Sequence, residues 1–330
     1  AKREIERQRR RVERENRTKT RIVFDAAKDV LGAAVDTMTS IDVSAVLRQG
    51  GFFTVGHPIQ QGQNIGRMFK ALGSEKYAEA VRSAIEHHPL YDRYRKAGLD
   101  FTGYGDTLDP QEENIRSLIS RKIPGVAQSQ RAFVAFLNLQ RMGMAKQLFE
   151  ALPGEPTQKD IESHARLINA ATGRGKFTNP KRDAGLEIAR LALFSPRLYL
   201  SRLQMLALQP GYRATPEVRK QVAVEYGRFL AGLSAVYVIA KLLGGDIESD
   251  PRSSDFGKIR FGETRLDMTG GLAQYVTLAG RAASGESKNA AGKVKEQSPV
   301  DTASRFARNK LNPPLGAVVD MIVGKNAVGE

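Results

Sequence analysis

One stretch of this chain carries a β pattern, and it is short. Lys258-Ile259-Arg260-Phe261 and Thr264-Arg265-Leu266-Asp267-Met268 each alternate polar with apolar residues, the period of a strand with one covered face. Gly262-Glu263 lies between them, and a Gly-X pair suits a two-residue type II′ turn because glycine accepts positive φ. The alternation places Ile259, Phe261, Leu266 and Met268 on one face. Everything else is punctuated as helix, so a chain of 330 residues must bury its apolar surface mainly by packing helices on one another. The expected fold is mainly α, a multi-helix bundle or array with one small β-hairpin at about 257–268.

The helix boundaries are written in caps and prolines. Gly50 closes a brief helix from Asp42, Pro58 opens the next, Ser74 caps SEKYAEAVRSAIEHH and Pro89 opens PLYDRYRKAG. A polar, glycine-rich loop from Gly98 to Leu108 follows, anchored by Phe101 and Tyr104, and helix resumes at Pro110. From Ser129 to Leu152, residues such as Phe133, Phe136, Leu137, Met142 and Leu148 give a broad apolar face. Thr157 caps TQKDIESHARLINAATG, a further helix runs from Arg182 to Leu193, and Ser195-Pro196 restarts helix into PRLYLSRLQMLALQ.

Thr215-Pro216 opens the longest helix, to about Leu243. Its middle, FLAGLSAVYVIA (229–240), is apolar all round, yet it is only 12 residues between Arg228 and Lys241. A bilayer span needs about 20, so the expectation is a buried central helix, with membrane contact the disfavoured alternative. Helical pieces at Gly271–Ala283, Pro299–Leu311 and Leu315–Val323 complete the chain, the first two separated by the Gly/Ser/Lys-rich SGESKNAAGKVKEQ, composed like a flexible linker. The organisation expected is a basic arm leading into an amphipathic helix (1–40), a helical body with the hairpin (41–284), a linker (285–298) and a C-terminal helical segment (299–330) continuing into a longer parent chain.

Charge narrows the partners. Lys and Arg number 51 against 36 Asp and Glu, a net charge of +15, which favours a polyanionic partner. Residues 1–21 carry ten of those cations: Lys2, Arg3, Arg7, Arg9, Arg10, Arg11, Arg14, Arg17, Lys19 and Arg21, against four Glu. A helical arm of this kind suits either the phosphates of double-stranded DNA, each contact releasing a counterion, or an acidic protein surface. No aromatic residue interleaves with these bases, so stacking on single strands is not indicated. A second basic feature is the loop ATGRGKFTNPK (171–181), with Arg174, Lys176 and Lys181. Backbone N–H groups and these cations make an anion-holding loop one reading; a helix end followed by a turn is the other.

Catalytic patterns are missing. The chain has no cysteine, hence no disulfide or thiolate chemistry. His57, His87, His88 and His164 lack HExxH spacing, and Gly292-Lys293 is followed by Val294 where a phosphate-binding loop needs Ser or Thr. No cofactor, metal or enzyme active site is expected.

Seven stretches, in order, carry a family resemblance: IDVSAVLRQGGFFTVGHP (41–58), RKAGLDFTGYG (95–105), SQRAFVAFLNLQRM (129–142), LINAATGRGKF (167–177), ALFSPRLYLSRLQML (192–206), DPRSSDFGKIRFGETRLDMTGG (250–271) and KLNPPLGAVVDMIVGKNAVGE (310–330). Together they resemble the large polyvalent protein-associated domains of very long phage and mobile-element polypeptides, also seen in phage internal virion proteins. The resemblance brings no catalytic residues. It implies a non-enzymatic helical segment of an internal core or ejection protein, in the virion interior and delivered into the host envelope or cytoplasm with the genome. The implied partners are further copies, sister virion proteins, the portal and double-stranded DNA. The alternative is a helical module of a mobile-element polyprotein that supports DNA processing by a neighbouring enzymatic domain.

Overall fold

The computed structural model describes residues 45–102, 125–177, 179–189, 192–212 and 214–323. Among these residues the chain is mainly helical. It begins with α1 (Ala45–Arg48), α2 (Gly51–Gly56), α3 (Pro58–Gly73), α4 (Glu75–Glu86) and α5 (Tyr91–Lys96). Their starts follow the sequence signals: Pro58 occupies the first turn of α3, and Ser74 Oγ accepts a 3.2 Å hydrogen bond from Tyr77 N at the head of α4. Next come α6 (Val126–Glu150) and α7 (Gln158–Ala171). Thr157 and Asp160 form a reciprocal capping box at the start of α7, satisfying two otherwise orphaned backbone donors. The helix expected from Pro110 lies outside the described residues.

The core lies where α2, α3, α4, α6 and α7 converge. Ten of the 14 residues of α7 are buried, and Ile161, Leu167 and Ile168 meet Phe53, Tyr94, Met144 and Leu148 in one apolar cluster. The central helix is therefore α7, a segment whose own composition is only moderately apolar.

After α8 (Pro180–Ala189), α9 (Pro196–Leu206) and α10 (Gln209–Tyr212), the chain enters α11 (Pro216–Leu242), the longest helix among the described residues. The expectation that its apolar middle is buried is overturned. Val218, Val222, Glu225 and Phe229 are buried on the body, at a helical spacing that makes one stripe. Beyond them the helix keeps that single contact side: Val238 is 60% and Leu242 80% exposed. Composition without periodicity could not tell a fully buried helix from one with an uncovered side.

The β elements are more numerous than expected. β2 (Lys258–Phe261) and β3 (Thr264–Asp267) pair antiparallel with Ile259 opposite Leu266 and Phe261 opposite Thr264, and Gly262 supplies φ of +55° at the turn. Ile259 is buried while Leu266 is half exposed. β1 (Asp246–Ile247) adds a third strand along β2; two residues are too few to show a period. After α12 (Ala273–Ser284), the stretch expected as a flexible linker is a second hairpin, β4 (Glu286–Lys288) with β5 (Val294–Glu296). Its charges explain the difference. Lys288 Nζ reaches Glu248 at 2.8 Å and Arg252 reaches Glu286 at 2.5 Å, while Lys288 N donates to Arg252 O at 3.0 Å. Asn289 Oδ1 accepts from the Ala291 and Lys293 amides to close the turn. The hydrogen bond from Lys288, with its charge, holds the Glu248 carboxyl below the usual carboxylate range. Helices α13 (Pro299–Arg308) and α14 (Pro313–Val323) end the described chain, α13 packing along α12.

Candidate functional site

The basic residues singled out in the sequence fall in three places. Lys2 to Arg21 lie outside the described residues. Arg174 and Lys176 follow the end of α7 and come together on one carboxylate: Lys176 Nζ is 2.5 Å and Arg174 3.9 Å from Asp100. Lys181 stands apart, exposed on the first turn of α8. A cavity of about 220 Å³ adjoins the first two, lined also by Arg166, Asn169 and Gln204. Asn169 holds its rim, accepting from Asp100 N at 3.0 Å and donating to Gly98 O at 2.8 Å.

Behind that rim lies Arg141, fully buried. Its guanidinium donates to Thr172 Oγ1 at 3.0 Å and Thr102 Oγ1 at 2.9 Å. Burial lowers its pKa to about 10 against the opposing pull of Asp100. Leu137, Arg141, Met144 and Leu148 fall on one buried stripe of α6, so a cation at an apolar position was the sequence signal for this network. Asp100 gave no such signal. With Asp100 answering the loop cations, this cluster acts first as an internal lock joining the Leu99–Thr102 segment to the end of α7.

A second buried network ties α5, α6, α7 and α11. The Tyr94 hydroxyl lies 2.9 Å from Ala145 O and 2.9 Å from His164 Nδ1, and His164 Nε2 lies 2.7 Å from Gln221 Oε1. Gln221 Nε2 donates to Leu148 O at 2.9 Å, which assigns the imidazole proton to Nε2. Burial pushes the His164 pKa down, although Gln221 and Asp160 oppose that. For Asp160, burial would raise the pKa, but hydrogen bonds from Thr157 and Thr215 outweigh it and hold the carboxyl low. Nearby, Glu225 is buried between His57 at 2.5 Å and Arg228 at 2.6 Å. Among the described residues no group of three or more His, Asp or Glu is placed to hold a metal ion.

The surface feature that stands out is the far side of α11. Val224, Gly227, Ala231, Ser234, Val238 and Leu242 follow helical spacing and are all exposed, flanked by Leu230, Ala235 and Ile239. No charge interrupts the helix between Arg228 and Lys241. Nothing lies within 4 Å of where a Gly227 side chain would begin, whereas one at Gly232 would collide with the Val55 carbonyl of α2. The helix thus has a docked side and an open side, and the open side is an apolar ridge of small and aliphatic residues. By length and composition α11 also qualifies to cross a membrane. No family model, curated protein or solved structure matches this chain.

Proposed function

We propose that this chain is a non-enzymatic helical segment of a phage internal virion protein, of the core or ejection type, that assembles with copies of itself or with sister proteins through the open side of α11. The family resemblance supplies the setting, near the portal and in aid of genome delivery. The observation that carries the assembly reading is the apolar open side of the uncharged stretch between Arg228 and Lys241, continued by Leu242, with Val238 and Leu242 among the exposed aliphatic residues. Large uncovered apolar patches mark interaction surfaces, and small residues such as Gly227, Ala231 and Ala235 allow a second helix to approach closely. A protein partner fits better than a lipid span because the opposite side of the same helix is packed on α2, with Phe229 stacked on Phe52 at 4.9 Å. Crossing a bilayer would strip that contact. The basic arm, Lys2 to Arg21, meets DNA in this proposal.

Light scattering across a concentration series tests the assembly. The wild-type chain self-associates, and the double variant Val238→Asp with Leu242→Asp is monomeric at an unchanged melting temperature. A wild-type chain that stays monomeric, alone and with sister proteins, overturns the reading. Flotation of the wild-type chain with anionic liposomes, lost in the same variant, would replace it with membrane association. For the arm, duplex DNA binding should fall steeply with salt; salt-insensitive binding removes DNA as its partner.

A further inference from the structure

The region around the main hairpin holds a second cationic cavity, independent of α11. It measures about 280 Å³ and lies between β2–β3, α12 and α13. Four cations line it: Lys258, Arg281, Arg305 and Lys310, with Asp267 as the carboxylate. Lys258 is already answered by Asp255 at 2.9 Å. Asp267 is engaged with Thr269, accepting from its amide at 2.8 Å and its hydroxyl at 2.6 Å. Arg281, Arg305 and Lys310 have no carboxylate within ion-pair distance among the described residues.

Arg281 and Lys310 are placed at some cost. Arg281 Nε donates to Arg252 O at 2.7 Å, and its guanidinium feels both burial and the like charge of Arg305, which together lower its pKa. Lys310 Nζ is held by Gln274 Oε1 and lies over the rings of Tyr199 and Phe306, at 5.0 and 4.7 Å; burial lowers its pKa. Thr302, 4% exposed on α13, also lines the cavity, and its buried hydroxyl has no hydrogen-bond partner among the described residues. Buried polar groups are normally satisfied, and a like-charge pair with no intervening carboxylate is unfavourable unless an anion lies between.

We propose that this cavity binds a compact phosphate dianion, either inorganic phosphate or the phosphoryl group of a small phosphate monoester. Three cations against one carboxylate leave an excess of two positive charges, which a dianion neutralises. Arg281 and Arg305 supply planar N–H donors suited to phosphate oxygens, Lys310 adds a point charge, and the Thr302 hydroxyl donates to a fourth contact. At about 280 Å³ the space is at the small end of ligand pockets, which favours a small molecule over a DNA backbone.

Titration calorimetry with inorganic phosphate, against chloride at matched ionic strength, tests this on the full chain. Saturable phosphate binding is expected. Arg305→Gln should weaken it about tenfold or more, the scale of one charge-assisted hydrogen bond. Because Arg305 is exposed, that variant should fold with an unchanged melting temperature. Thr302→Val should weaken binding less. Competition by phenyl phosphate would identify a monoester as the ligand; its absence would identify free phosphate. The proposal is overturned if phosphate binding is not saturable, if Arg305→Gln binds as wild type, or if duplex DNA displaces phosphate from the cavity.

Discussion

The two halves of α11 differ in composition the opposite way to their burial. Pro216–Phe229 carries five charged residues and packs firmly on the body, while Leu230–Leu242 has only Lys241 and leaves a broad apolar side open. From Pro216 to Phe229 the helix turns Val218, Val222, Glu225 and Phe229 into the body and joins the His164 network through Gln221. From Leu230 to Leu242 its contact side comprises Gly232, which meets α2 closely, Leu233 packed on the core, Tyr237, whose hydroxyl donates to Gly257 O at 2.6 Å, and the buried Ala240, while other aliphatic residues face outward. The apolar content of a helix therefore does not say whether it is core or interface. What decides it is which side of the helix another element occupies.

The sharpest way to break this contrast is to truncate one large residue in each half. Phe229→Ala should cost about 3–5 kcal/mol by denaturant unfolding, the usual loss for a buried aromatic; Leu242→Ala should stay within about 0.5 kcal/mol. Equal losses would mean the outer half is core after all. Glu225→Gln comes next. It leaves His57 beside a neutral amide in a buried site and should cost about 1–3 kcal/mol.

The two glycines of α11 provide a finer comparison. Gly232→Ala should destabilise by about 1–3 kcal/mol, because the added methyl meets the Val55 carbonyl. Gly227→Ala, into open space, should stabilise the monomer by about 0.5–1 kcal/mol through helix propensity, while weakening any helix–helix assembly on that side. A destabilised Gly227→Ala monomer would show that something covers the ridge.

The smallest effect is in pH. The pKa of His164 is lower folded than unfolded, so below the ordinary value of about 6.5 the unfolded chain holds more protons. Stability is then full above about pH 6.5 and falls as the pH drops toward the folded pKa. Asp160, also depressed, adds a loss only below its ordinary carboxylate range. Denaturation midpoints of wild type and His164→Gln between pH 5 and 8 should differ in slope, with the variant flatter; parallel slopes would remove His164 from the account.

Much of the fold was legible because the cues were local. Ser74 and Thr157 cap where their sequence context placed them, and Gly262 turns the hairpin it was expected to turn. β1 and the β4–β5 hairpin were not legible, since two- and three-residue strands show no period, and Lys288 and Glu286 read as solvated charges until paired with Glu248 and Arg252. In the loop at 171–181, Arg174, Lys176 and Lys181 stand together by sequence nearness, but Asp100, roughly seventy residues away along the chain, gives no sign that it answers the first two. Lys181 is held elsewhere by its helix.

By itself the sequence determined the class of this protein: helices bounded by caps and prolines, one two-residue hairpin turn, a strong basic excess and no cysteine. These depend on local stereochemistry and composition, which no packing partner can alter. The tertiary structure alone decided that α7 and not α11 occupies the centre, that Asp100 answers the loop cations, and that Arg281, Arg305 and Lys310 converge with no carboxylate among the described residues in ion-pair distance of them. Burial and charge pairing are properties of neighbours in space, and those neighbours come from distant parts of the chain.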